Sequence, residues 1–144
     1  MADDRMAASG GAGGWRTLQN RHNGEVLHIR RVVQDGVPRL ELKGTLPPRQ
    51  QGPPLHVHVA EDEEGTVTAG TLSAELDGKT VRLRTGERAA FPKGSAHRWW
   101  NDGDELLAFE GWATPVVDLD VYLAAIFDIL NSGPANRPSK FSGL

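Results

Sequence analysis

The chain contains no cysteine. That excludes disulfides, thiolate metal ligands and a cysteine nucleophile, and it suits a reducing cytoplasm, the compartment expected for this protein. Charge of one sign is also scarce. A net charge of −3 over 144 residues offers no basic footprint for nucleic acid. No apolar run reaches the roughly 18–20 residues of a membrane span. The first residues lack the apolar segment of a signal peptide. Neither a nucleic-acid nor a membrane partner is therefore expected. No serine elbow is seen, and no glycine-rich loop sits between a strand and a helix to cradle phosphate. The glycines at positions 10–14 have no strand before them.

What the chain does have is turn formers. It holds 17 glycines and 9 prolines, which favour many tight turns and an all-β protein of short strands. At this length one domain is expected. Residues 1–14 are small, polar and glycine-rich, and are expected to be a disordered or extended arm. Residues 15–134 form the single domain, and 135–144 form a loose tail. Residues 24–33 alternate as a strand, Asp35-Gly36 turns, and Leu40 and Leu42 share one face of the return strand. Pro47-Pro48 and Pro53-Pro54 mark a loop. Strand character resumes over 66–77 with a break at Gly70. Asp77-Gly78 then signals a hairpin. Val81 and Leu83 point inward on the next strand, and a last strand spans 106–113. One helix is predicted over about 118–130, with Asp118 as N-cap and Asn131-Ser132-Gly133-Pro134 as its stop. Its apolar stripe is Leu119, Tyr122, Leu123, Ile126, Phe127 and Leu130.

Three of the five histidines fall within residues 55–101. His56 and His58 stand two apart, on one face of a strand and roughly 6.5–7 Å apart along it. Glu63 follows in the acidic run Glu61-Asp62-Glu63-Glu64. Its odd offset requires a turn within residues 60–62 if it is to face the same point from a neighbouring strand. His97, Trp99 and Asn101 share a face by alternation, after a Pro92-Lys93-Gly94 turn in which Gly94 can take a positive φ. His22 and His28 read as exposed or hydrogen-bonded histidines.

The spacing His-x-His, four residues, Glu63, six residues, Gly70 is followed by Gly86, five residues, Pro92, one residue, Gly94, two residues, His97, three residues, Asn101. It resembles the paired signature motifs of the cupin superfamily, in the manner of small single-domain, quercetinase-like members. One departure lies upstream: the glycine usual six positions before the first histidine is Gln50 here, and Gly52 is the nearest. The resemblance implies a jelly-roll barrel, a double-stranded β-helix, with one C-terminal helix added. It implies a metal held by His56, His58, Glu63 and His97. Glu61 and Glu64 are the runners-up for the carboxylate, and Glu61 and Asp62 read as solvated turn residues. Three imidazoles and a carboxylate suit iron, manganese, nickel, copper, cobalt or zinc, without choosing among them. A barrel whose histidines have lost the metal is the plainer alternative.

Trp99 is expected beside His97, either as an aromatic wall for a small-molecule substrate or as core packing. The small residues Gly65-Thr66-Val67-Thr68-Ala69 after Glu63 suggest a roomier or more polar pocket than many relatives have. The function implied is a metal-dependent enzyme acting on a small organic molecule, with oxygenase chemistry first and Glu63 as a proton acceptor. Isomerase or lyase chemistry is the close second, and a non-catalytic metal- or ligand-binding cupin the third. Exposed barrel edges are commonly covered by a second copy, so a homodimer is expected. A stable monomer by light scattering at micromolar concentration would contradict it.

Overall fold

The computed structural model describes residues 14–54, 56–58 and 60–133. The expected arm, apart from Gly14, and the expected tail lie outside the described residues. The elements in chain order are β1 (Arg16–Asn20), β2 (Glu25–Gln34), β3 (Val37–Leu46), β4 (Gln50–Gln51), β5 (His56–Val57), β6 (Asp62–Ala69), β7 (Thr71–Leu76), β8 (Lys79–Arg84), β9 (Arg88–Phe91), β10 (Ala96–Asn101), β11 (Leu107–Thr114) and α1 (Leu119–Ser132). All strand pairings are antiparallel. The larger sheet runs β1-β2-β3-β11-β6-β9. The smaller runs β4-β10-β7-β8, and β5 also pairs with β10. This is the expected all-β jelly roll with a C-terminal helix.

The turns lie where the turn residues are. Asp35-Gly36 joins β2 to β3 and Asp77-Gly78 joins β7 to β8, each with both residues at positive φ. Primed turns of this kind match the right-handed twist of a hairpin. Alternation then decides burial. Leu40, Leu42 and Leu46 on β3 face inward, as do Leu107 and Ala113 on β11. Each fully buried leucine contributes about 2–3 kcal/mol relative to exposure.

That inner face is covered in two halves. Leu46, Val67, Leu72, Ala74, Phe91 and Leu107 pack between the two sheets. Leu27, Ile29, Leu40, Leu42 and Ala113 pack instead against α1 through Leu119, Ala124 and Phe127. The helix thus covers the part of the larger sheet that the smaller one leaves bare. Arg31 fastens the helix start, with Nε and Nη2 donating to both Asp120 carboxylate oxygens at 2.8 and 2.9 Å and Nη2 also to the Val117 carbonyl at 2.8 Å. Asn131 fastens the other end, accepting from the Arg21 amide and donating to the Gln19 carbonyl.

One strand goes beyond the sequence reading, and two expectations need correction. β1 lacks a sequence signal, because Leu18 is its single buried apolar residue. Tyr122 is exposed rather than on the buried stripe, and Ala124 takes a buried place, because the sheet meets a narrower face of the helix than its composition allows. Asp118 sits at the N-cap position, but its side chain makes no capping bond.

Candidate metal centre

The site is made where the two sheets face each other. β5 is two residues long and pairs with β10, placing His56 directly opposite His97. The Gly94 amide then donates to the His58 carbonyl at 2.8 Å. Gly94 has a φ of +83°, a conformation that costs other residues strain. The Pro92–Gly94 turn thereby holds the chain of His58 beside β10. β5 and β10 of the smaller sheet supply His56 and His97, and the residue after β5 supplies His58. Their ring centroids lie 4.3 Å apart for His56 and His97, 4.8 Å for His56 and His58, and 5.2 Å for His58 and His97. One nitrogen from each falls within 4.8 Å of the others. The larger sheet supplies the carboxylate. Glu63 Oε1 is 3.5 Å from His97 Nε2 and 3.8 Å from His58 Nε2. Of the four ligands that the resemblance implies, the three imidazoles cluster, and Glu63 lies beside those of His58 and His97.

These residues fit a metal ion. Donors about 2.0–2.2 Å from a common ion stand about 3–4 Å apart; the Glu63 contacts at 3.5 and 3.8 Å fall in that range, and the imidazole nitrogens, within 4.8 Å of one another, would draw together around an ion. His97 is 1% exposed, and neither of its ring nitrogens has a hydrogen-bond partner among the described residues. A buried imidazole left so is costly, and an ion at Nε2 would relieve part of that cost. His56 is already oriented, with Nδ1 2.7 Å from the Pro54 carbonyl oxygen. The proton belongs on Nδ1 there, which leaves the Nε2 lone pair free.

Electrostatics agree. Burial, then the neighbouring His97, push the His56 pKa down to about 4. His56 is thus the neutral base a metal needs at neutral pH. Burial pushes Glu63 up, but the three imidazoles beside it, His97 first, outweigh that. The carboxyl ends below its ordinary value and is ionised at neutral pH.

Inside the barrel, His97 and Glu63 share a cavity of about 60 Å³ with Leu72, Phe91, Trp99 and Phe109 among its walls. Trp99 lies in that wall and packs edge-on to Phe109 at 5.0 Å. Of the small residues after Glu63, Gly65, Thr66 and Val67 line the cavity together with aromatic rings from β9, β10 and β11.

Two residues have roles that the spacing did not reveal. Asn101, the last motif residue, is a clamp. Its Nδ2 donates to the carbonyls of Leu46, Pro47 and Glu105 at 2.9–3.1 Å, and its Oδ1 accepts from the Gly103 amide. Glu61 is not the solvated turn residue expected: it is 8% exposed, and its Oε1 lies 3.4 Å from His58 Nδ1. Asp62 is exposed as expected and accepts from the Lys93 amide.

A family model described as "Cupin domain" matches residues 42–117, more than half of the chain. The chain belongs to the cupin domain family. Oxidoreductase iacF of Pestalotiopsis fici is 39% identical to this cupin over 72 residues, 48% of this chain and 35% of that protein. The chain spans about a third of the length of the curated relatives it matches. Among solved structures, KdgF from Halomonas sp. aligns with a TM-score of 0.55 at 18% identity, over 74% of this cupin and 91% of that chain. A predicted oxalate decarboxylase from Thermotoga maritima aligns with a TM-score of 0.54 at 23% identity, over 69% and 90%. At such identities these two establish the fold alone. Among the described residues no helix is long and apolar enough to cross a membrane.

Proposed function

We propose that this cupin is a metal-dependent oxidoreductase that uses dioxygen on a small organic molecule. The observation that carries the reading is the cluster of His56, His58 and His97 with Glu63 beside two of them, Glu63 and His97 also lining an apolar-walled cavity. The name of its relative from Pestalotiopsis fici supports the oxidoreductase class. His56, His58, His97 and Glu63 would hold a divalent first-row metal. When bound, such a metal would supply Lewis acidity toward an enolate or catecholate oxygen and a path for electrons to dioxygen.

The remaining work falls to the chain itself. Glu63, ionised at neutral pH, accepts the proton of an enol or catechol hydroxyl, and so serves as the catalytic base. Leu72, Phe91 and Phe109 keep bulk water from that proton transfer. Trp99 offers the edge of a planar substrate an aromatic wall. About 60 Å³ admits a few waters or dioxygen, so only the reacting edge of a larger molecule enters.

The test begins with elemental analysis of protein purified from its own host without chelators. Oxygen consumption is then measured with iron-, nickel- or manganese-loaded protein across flavonols, diketones and catechols. Uptake with any of them, lost in Glu63→Gln, is the expected result. Metal binding with no uptake across the panel overturns the oxygenase reading and turns attention to isomerase or lyase chemistry. No metal at all overturns the metal centre.

A further inference from the structure

Of the four acids in the run 61–64, only Glu61 is buried. Burying a carboxylate is costly unless something pairs with it. Among the described residues its side chain has one partner, His58 Nδ1 at 3.4 Å, and that imidazole is itself 6% exposed. The contact falls on the far side of the ring from the metal centre. His58 Nε2, the other nitrogen, is the one within 3.8 Å of Glu63. The ring therefore stands between two carboxylates, one on each nitrogen.

Among the described residues the groove around Glu61 offers it no other cation. Glu61 and His58 form part of a groove of about 390 Å³ whose other walls include Val57, Ala60, Val117, Leu119 and Tyr122. Those walls are apolar side chains, plus a tyrosine. Asp118, the remaining group there, is an acid and offers Glu61 no cation. His56 shows the same device with a weaker acceptor, its Nδ1 at 2.7 Å from the Pro54 carbonyl. His97 has neither.

We propose that Glu61 is a positioning residue for the metal centre: its carboxylate accepts a hydrogen bond from the Nδ1–H of His58, fixing the tautomer that presents Nε2 to the ion and making that nitrogen a stronger donor. A carboxylate behind a ligating imidazole raises its basicity, and losing such a partner typically lowers metal affinity 10–100-fold. The proposal rests on the metal-binding reading above, but not on the oxygenase chemistry.

The experiment measures Co(II) affinity of the full chain by chelator competition, following the visible absorption of the bound ion. Glu61→Leu removes charge and acceptor, and a 10–100-fold loss is expected. Glu61→Gln keeps an acceptor oxygen, and a smaller loss is expected. Long-range proton–nitrogen spectra of the metal-free protein provide a second reading, independent of metal: His58 carries its proton on Nδ1 in the wild type, and the two tautomers mix in Glu61→Leu. Wild-type affinity in both variants, or a His58 proton on Nε2 in the wild type, overturns the proposal. If Glu61→Leu does not fold, Glu61→Gln and the wild-type spectrum decide. Absence of Co(II) binding by the wild type overturns the metal-binding reading itself. Binding that His97→Ala abolishes but Glu61→Leu leaves intact overturns only the role of Glu61.

Discussion

His97 and Asn101 lie on the same face of β10, one at each end of the barrel, and each is 1% exposed. Asn101 has four hydrogen bonds, all to backbone groups of neighbouring loops. His97 has none among the described residues. One strand thus carries two equally buried polar residues with opposite accounts. A buried polar group whose partners are all in the chain is there for the fold. One whose partners are missing from the chain is there for something that binds.

The sharpest way to break this contrast is to make the same substitution at both ends and measure urea stability in the presence of a chelator. Asn101→Leu strands three carbonyls and an amide, and should cost about 3–4 kcal/mol. His97→Leu removes a ring without a hydrogen-bond partner but also takes the imidazole from beside the Glu63 carboxylate, so it should cost less than Asn101→Leu, about 1 kcal/mol. It should also abolish Co(II) binding, which Asn101→Leu retains in the fraction that folds. Equal destabilisation by the two changes would mean that His97 is bonded within the fold after all.

Much of this was legible beforehand, for a definite reason. The ligands are spaced along strands, where side-chain direction follows from counting residues, and the turns between them carry their own residues: Asp77-Gly78, Gly70 and Pro92-Lys93-Gly94. What escaped depends on contacts between segments far apart in the chain. Glu61 shares its groove with Leu119 and Tyr122 of α1, far along the chain. Which helix face is buried depends on how α1 meets β1, β2 and β3, and its nearly continuous apolar sequence does not say. The cavity wall brings Phe91, Trp99 and Phe109 together from three strands, a meeting that no local pattern announces.

Glu25 lies between the two extremes and sharpens the comparison through pH. It is 4% exposed. Burial raises its pKa from 4.5 to about 7, and a bond from Asn23 pulls it back only part of the way. The folded state then holds a proton that the unfolded chain has released, so Glu25 makes stability fall as pH rises from about 4.5 to 7. The span amounts to about 3 kcal/mol. His56 acts in the opposite sense. Its folded pKa of about 4 lies below the ordinary 6.5, so its contribution grows between those values. Metal-free wild type should therefore change little from pH 4.5 to 6.5 and weaken above it. Glu25→Gln should rise through that window and then stay level. Parallel stability–pH curves for the two proteins would show that Glu25 is not held protonated by the fold.

The smallest effect belongs to Gly52, beside Trp99, midway between the two ends. Its amide donates to the Trp99 carbonyl at 3.0 Å. A Cβ built there would stand 2.6 Å from that oxygen and 2.9 Å from two carbons of the indole. The upstream glycine of the motif is displaced to this position, and the close approach explains why a glycine is needed. In Gly52→Ala the carbonyl is held in the strand ladder, so the β4 loop and the indole must move, at about 1–3 kcal/mol. Trp99 fluorescence should shift accordingly. The β7 strand holds His97 in register from the other side, opposite Leu76, so Co(II) affinity should change by less than about threefold, far below the 10–100-fold loss typical when a ligand's own partner is removed. A larger loss would mean that the wall and the metal centre move as one unit, and that the two ends of β10 are not independent.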